Sequence, residues 1–395
     1  MNIQLQKTIF TNMLKTNNPE FDEQLIDFEG ELDTSLSFSE NFGKLRAVYP
    51  ALFGVIEIDE GQMISFERQE RDLAEQHLLQ QITATPTLTN QAEIMKEISD
   101  YVYKGEIFTY STLFSLLGSV NIINYGGVGL GKSRATKELL EMLEVPKVVV
   151  ISGYITAKRF FNILKRYNDC VILFDEGDLL LGNKIITNML KSLLTCGEVI
   201  WETNDEESRV KFEGNLIVNC NVSKFNKGIE DKLLVNTMTL SSDDIKAKIL
   251  NTEYKPNMEL WNTIKSRIIY ARNNDIKLTK GDKKLIYQFI ETIPYFNSYR
   301  LKYRIFDVFS GLKMLFGELN KDVFELGVRL SQYYISNNFS NIKNLIKDGM
   351  TKEEVLDLIM SAKDISRRQA YNILGDEIRR GMLRDDGKKI ALVIR

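Results

Sequence analysis

An eight-residue run, Gly126 to Ser133 (GGVGLGKS), constrains this chain more than any other segment. It matches the pattern GxxxxGK[ST] at Gly126, Gly131, Lys132 and Ser133. A loop that wraps phosphates needs backbone N–H groups turned inward, and glycines allow both those dihedrals and the close approach. A helix that follows aims its N-terminus at the anion. The flanks satisfy this demand: Val120 to Tyr125 (VNIINY) reads as a strand and Ser133 to Leu143 as a helix. On this reading Gly126, Gly127, Val128, Gly129, Leu130, Gly131, Lys132, Ser133 and Arg134 hold a nucleotide. Lys132 neutralises its terminal phosphates and Ser133 offers its hydroxyl to Mg²⁺. ATP and Mg²⁺ are the expected cofactors.

A second motif lies 43 residues beyond Lys132, where Val171 to Phe174 is followed by Asp175 and Glu176. A buried strand that ends in Asp delivers a carboxylate to the mouth of a sheet. Asp175 would hold the metal with Ser133, and Glu176 would orient the attacking water. Asp178 either assists or caps a helix. The chain has one histidine, His77, so this chemistry must run on carboxylates, Lys, Arg and hydroxyls. Cys170, Cys196 and Cys220 form no CxxC and read as small core residues.

Around these motifs the pattern alternates. Strands are expected at Lys147 to Ser152, Cys170 to Phe174, Asn215 to Cys220 and Leu234 to Leu240, with a further short one at Glu198 to Thr203. Helices are expected at Ala157 to Tyr167 and Ile185 to Leu194. Continuous apolar strands between helices indicate a parallel sheet covered on both faces. From 243 to 335 only helical periodicity remains, including Met258 to Asn273, Lys280 to Ile293, Tyr299 to Phe316 and Lys321 to Ser336. Residues 1–90 carry six Lys and Arg against fifteen Asp and Glu. Such an acidic segment is a poor phosphate-binding surface and suits a protein partner. Phe53 to Ile58 and Met63 to Phe66 read as strands about a turn at Glu60-Gly61, so this part is expected to be α+β. Linkers are expected at 83–90 and at Asn337-Asn338.

Together these motifs resemble the AAA+ ATPases, over about Gln91 to Ser336. More narrowly, Thr156, VILFDEGD, MLKSLLTCGEVIW and Phe212-Glu213-Gly214 followed by LIVNCN are similar to AAA+ proteins of phages and mobile elements. The resemblance implies a core at 91–240, an all-helical lid at 241–336 and a homo-oligomer such as a hexamer. It also implies three further site residues. A polar residue ending a core strand, near the γ-phosphate, matches Asn221, with Asn219 second. An arginine opening a lid helix matches Arg300 after Ser298, with Arg304 one turn on. An arginine finger is expected where this chain reads Ile229-Glu230-Asp231-Lys232, which leaves Lys232 or Arg209 for the role. Lysine lacks the planar fork of arginine, so that departure weakens the expected firing between subunits.

The last segment, 338–395, has its own order. Ile342 to Lys347 reads as a helix; Thr351 then opens another, with Glu354 as capping-box partner. Ser366 caps a long helix from Arg367 to Gly381, and Met382 to Ile394 reads as a ribbon with Asp385-Asp386-Gly387 at its tip. This resembles a winged helix-turn-helix. Arg367, Arg368, Gln369 and Asn372 would face duplex DNA, with Lys388 and Lys389 near a backbone. A winged helix used for protein contact is the competing reading.

The fold expected is therefore α/β: a parallel-sheet core, a helical lid, an acidic α+β N-terminal domain (1–90) and a winged helix (338–395). The function expected is ATP-dependent action on DNA in replication of a phage or mobile element, as initiator, helicase or helicase loader. The alternative is a remodeller or regulator of a protein complex in transposition, defence or transcription. No apolar run approaches the roughly 18–20 residues of a membrane span, and the N-terminus MNIQLQKTIF lacks signal-peptide features. A cytoplasmic protein, in host cytoplasm if viral, is expected.

Overall fold

Among the described residues the first strand does not begin until Ile122. Before it come α1 (Ile3–Asn17), α2 (Phe38–Val48), α3 (Pro50–Phe53), α4 (Glu60–Gln81), α5 (Gln91–Asp100) and α6 (Glu106–Leu116). The alternating region follows: β1 (Ile122–Gly126), α7 (Lys132–Leu143), β2 (Val148–Ile151), α8 (Ala157–Arg166), β3 (Val171–Phe174), α9 (Gly177–Leu181) and α10 (Lys184–Cys196). It continues with β4 (Glu198–Glu202), β5 (Glu207–Lys211), β6 (Asn215–Cys220) and β7 (Leu234–Met238). Helices α11 (Met258–Asn273), α12 (Lys280–Glu291), α13 (Tyr299–Phe316) and α14 (Lys321–Asn338) come next. The chain ends with β8 (Met350–Thr351), α15 (Lys352–Lys363), α16 (Arg367–Arg379), β9 (Leu383–Asp385) and β10 (Lys389–Leu392).

The structure is a computed structural model. It describes residues 3–17, 28–33, 36, 38–54, 56, 58–82, 91–102, 105–126, 130–202, 207–221, 229, 232–238, 254–293, 299–338, 350–363, 367–379, 383–387 and 389–392. The chain divides into two compact units, Met1–Gly327 and Val328–Arg395. No helix among the described residues is long and apolar enough to cross a membrane.

β1, β2, β3, β6 and β7 form one parallel sheet in the order β2-β3-β6-β1-β7. Val, Ile and Leu dominate these strands because both faces are covered. One face packs Ile123, Ile172, Phe174, Leu216 and Val218 against Phe160 and Leu164 of α8 and Ile186 and Leu190 of α10. On the other, α6 lies against β1, β6 and β7. The expected strand at Glu198 to Thr203 exists, but outside this sheet: β4 and β5 form a separate antiparallel ribbon. Trp201 on that ribbon packs 6.1 Å from Phe161 of α8.

Two expectations need correction, and one element went unread. The N-terminal segment shows no strand among its described residues; Met63 to Phe66 lies inside α4. Asp59 caps that helix, and Gln62 completes a capping box. Phe10, Phe28, Phe38, Phe42 and Phe53 fill the core beneath, with Phe10 stacked 4.5 Å from Phe38. The apolar run that imitated a strand feeds this aromatic cluster through Phe53 and Ile56. Asn337-Asn338 is helix rather than linker, since α14 runs through it. Finally, α6 went unread because it is buried all round, from Phe108 to Leu116, and so has no polar face to set a period. Its Thr109 and Thr112 hydroxyls donate back to carbonyls one turn earlier. The expected linker at 83–90 and helices at 243–250 and 342–347 lie outside the described residues.

The acids of α4 turn inward. Glu67 receives two hydrogen bonds from the Arg166 guanidinium of α8. Lys147, just before β2, sits 2.6 Å from Asp72, 3.0 Å from Glu75 and 3.5 Å from Asp169. Glu75 also meets Arg272 of α11 at 3.4 Å. Burial alone would lower the Lys147 pKa, but hydrogen bonds to Asp72 and Glu75 outweigh it and raise it. Three acids that made 1–90 look like a partner surface are thus matched within the chain. The second unit has its own small core, with Val355, Leu356, Ala370, Leu374 and Ile390 buried. Its sheet is antiparallel in the order β8-β10-β9.

Glu75→Ala removes the carboxylate shared by two largely buried cations. It is expected to cost ~2 kcal/mol of unfolding free energy, read as a lower urea midpoint. Replacing Glu213 of the exposed Lys211–Glu213 pair should leave that midpoint unchanged.

Candidate functional site

The sheet order puts the carboxyl ends of β3, β6 and β1 side by side. In an open parallel sheet this edge is where ligands bind. β1 ends at Gly126; Gly127, Val128 and Gly129 lie outside the described residues. Leu130 packs against Val102 and Phe108. Gly131 holds φ 86°, ψ 11°, a left-handed conformation that a side chain would strain. From it α7 begins immediately with Lys132.

Lys132 is only 4% exposed. Its ammonium donates to the Gly126 carbonyl at 2.7 Å and to Asn221 Oδ1, past the end of β6, at 3.2 Å. Burial lowers its pKa, and Asp178 and Asp175 oppose that only in part. Ser133 Oγ donates to Asp175 Oδ1 at the end of β3. Asp175 is 8% exposed. Burial would raise its pKa, but hydrogen bonds from Lys137 and Ser133 outweigh burial and hold the carboxyl below its ordinary value. Glu176 is exposed and stands in the left-handed region at φ 61°, ψ 42°. A non-glycine residue there carries strain of order 1 kcal/mol. The next residue must be glycine: a Cβ on Gly177 would lie 2.3 Å from Val218 Cγ1 and 2.6 Å from Cys220 Sγ. Asp178 accepts from the Asn221 backbone N–H at 2.7 Å, which ties α9 to the end of β6.

The other expected residues divide. Arg134 is exposed and paired with Glu138 at 2.6 Å on its own helix. Lys232 sends its ammonium to the Lys191 carbonyl, 3.2 Å away, and to Thr195 Oγ1, both on α10. Arg304 is held by Asp307 at 2.9 Å and by the Lys232 carbonyl. Arg300 is the second residue of α13, and its side chain lies outside the described residues, as does Ser298. Arg209 is exposed on β5. In the second unit Arg367, Arg368, Asn372 and Lys389 are exposed. Arg367 pairs with Glu353 of α15 and lies 6.0 Å over the Tyr371 ring. The Gln369 side chain and Lys388 are outside the described residues.

Two features escaped the sequence. Lys137, one turn after Ser133, reaches Asp175 Oδ2 at 2.7 Å. Beneath the site, an amide relay crosses the sheet. Ser111 donates to Asn236 (3.0 Å), Asn236 to Asn124 (2.7 Å), Asn124 to Asn219 (2.8 Å) and Asn219 to Thr136 of α7 (3.3 Å). Asn219 also hydrogen-bonds Asp175. The three asparagines are in register on β7, β1 and β6. The available signal was one Asn inside each of three apolar strands. A cleft of about 490 Å³ opens at the opposite, amino-terminal edge, lined by Val171 and Asn215 among others, and contains none of these residues.

Chemically the site joins a helix N-terminus, a buried lysine and a hydroxyl–carboxylate pair. That combination can receive anionic oxygens and a divalent cation together. No family model matches this chain, and no curated protein matches it.

Asn124→Ala would leave Asn219 Oδ1 and Asn236 Nδ2 buried without their partner. It is expected to cost about 3 kcal/mol, measured as a fall in thermal unfolding midpoint.

Proposed function

We propose that the chain is a P-loop ATPase of the AAA+ kind that acts on DNA in the replication of a phage or mobile element. One observation carries the nucleotide reading: the first two residues of α7, Lys132 and Ser133, meet Asn221 and Asp175 from two neighbouring strand ends. Ser133 and Asp175 would hold Mg²⁺, which supplies charge neutralisation to the phosphates. Lys132 and the amides around Gly131 would bind the β and γ phosphates. Glu176, the exposed carboxylate beside Asp175, would orient water. Asn221 already contacts Lys132, as a γ-phosphate sensor would require.

The helices within 241–336 serve as the lid in this reading, with Arg300 opening the one that starts at Tyr299. The active form is a homo-oligomer. Lys232, whose ammonium meets α10, and Arg209, exposed on β5, are the finger candidates. For the second unit, a winged helix-turn-helix gripping duplex DNA is supported by its two packed helices and antiparallel three-stranded sheet. The expected capping box is present, since Thr351 N–H donates to Glu354 and the Glu354 N–H to Thr351 Oγ1. Arg367, Arg368, Asn372 and Lys389 give it an exposed polar and basic face. The inward pairing of α4 acids weakens the case for a protein remodeller docked through residues 1–90.

Lys132→Ala should abolish binding of a fluorescent ATP analogue. Glu176→Gln should bind it normally yet hydrolyse ATP at least ~100-fold more slowly; full turnover in that variant would sink the water-orienting role. Deleting residues 338–395 should remove duplex binding in a fluorescence anisotropy assay while ATP binding persists. Retained duplex affinity would refute the DNA assignment of the tail.

A further inference from the structure

Ser133 and Lys137 are four residues apart on α7 and so share one face of the helix. Between them they grip both oxygens of one carboxylate: Ser133 donates to Asp175 Oδ1, and the Lys137 ammonium lies 2.7 Å from Oδ2. Packing does not require a lysine here. The buried residues of α7 are Lys132, Thr136, Leu139, Leu140 and Leu143, and Lys137 is only half-buried. A long, partly exposed stem could send its charge to water. Instead the charge rests on the least exposed carboxylate of the site, while Glu176 beside it stands in solvent.

We propose that Lys137 is a built-in counter-ion that competes with the divalent cation for Asp175 and thereby sets the Mg²⁺ concentration the site demands. The inference rests on the reading of Ser133 and Asp175 as the metal-holding pair. A dication drawn to Asp175 must share that carboxylate with an ammonium already on it, and like charges a few ångströms apart repel. Without the ammonium, Oδ2 loses its ion pair and the Asp175 carboxylate keeps more of its charge for the cation. Lys137 is a positioning residue: its ammonium touches Asp175, and its effect on the cation passes through that carboxylate.

The test titrates MgCl₂ into the full chain with mant-ADP and reads the Mg²⁺ midpoint of nucleotide binding by fluorescence. Lys137→Met keeps the stem and removes the charge. It should lower the midpoint by at least about fivefold. Lys137→Arg keeps the charge and should stay within about twofold of the parent. Lys137→Gln repeats the measurement with a neutral polar side chain, and the thermal midpoint of each variant verifies folding. A midpoint unchanged or raised in the folded Met and Gln variants overturns this inference alone. If the parent chain shows no Mg²⁺-dependent mant-ADP binding, or Lys132→Ala binds as the parent does, the nucleotide reading falls and this inference with it.

Discussion

The candidate site depends on β6 pairing between β3 and β1. β6 is the sixth strand among the described residues, yet it occupies the middle of the sheet, hydrogen-bonded on both sides and buried along its whole length. With β6 there, the end of β3 and the end of β1 are one strand apart, close enough for Ser133 at the start of α7 to reach Asp175. β6 also supplies what fills the gap between them. Asn221 meets Lys132 from below, and Asn219 touches both Asp175 and Thr136. The close fit of Gly177 on Val218 and Cys220 follows from the same placement, because α9 must leave β3 across the face of β6.

The amide relay explains why polar side chains are tolerated at the centre of that sheet. A buried amide without partners would be destabilising by a few kcal/mol. Here Asn124 receives from Asn236 and gives to Asn219, so neither end of its amide is stranded. In-register asparagines on three parallel strands also specify pairing: a slip by one residue would set each amide against a side chain bound for the opposite face. The relay therefore selects the register that brings Asn221 and Asp175 level with the phosphate loop. It ends on Thr136, whose hydroxyl donates to the Lys132 carbonyl.

Much of this was legible from local pattern. The strand before the glycine run, the helix after it, the apolar strand before Asp175 and the helices beginning at Met258 and Tyr299 are periodic or motif-bearing, and the structure has them there. The Thr351–Glu354 capping box was readable because its partners are three residues apart. What was not legible is long-range. Residue type cannot say that Lys137 faces Asp175, 38 positions away, or that three asparagines lie in one row. Counting charges over residues 1–90 treated Glu67, Asp72 and Glu75 as surface, whereas Arg166, Lys147 and Arg272 receive them. The α6 segment lacks an amphipathic period because burial on every side removes the selection that creates one.

The same long-range pairs bear on how the helices beyond β7 could move against the sheet. α11 is anchored along its length. Near its start, Glu97 of α5 accepts from the Asn257 N–H at 2.8 Å, from Trp261 Nε1 at 2.9 Å and from the Tyr254 hydroxyl. In its middle, Lys265 pairs with Glu144 at 2.9 Å. At its end, Arg272 meets Glu75 and donates to the Pro146 carbonyl at 3.2 Å. A pivot of α11 would break contacts at all three points, and the Arg272–Glu75 pair among them is shielded from water and so little screened. The start of α13 is tied to the region before β7 by Arg304, through the Lys232 carbonyl. Ile305, Val308, Phe309 and Leu312 are buried along the same helix, and Gly311 sits close against the Phe114 ring of α6, so α13 is seated by apolar packing where α11 is seated by charge.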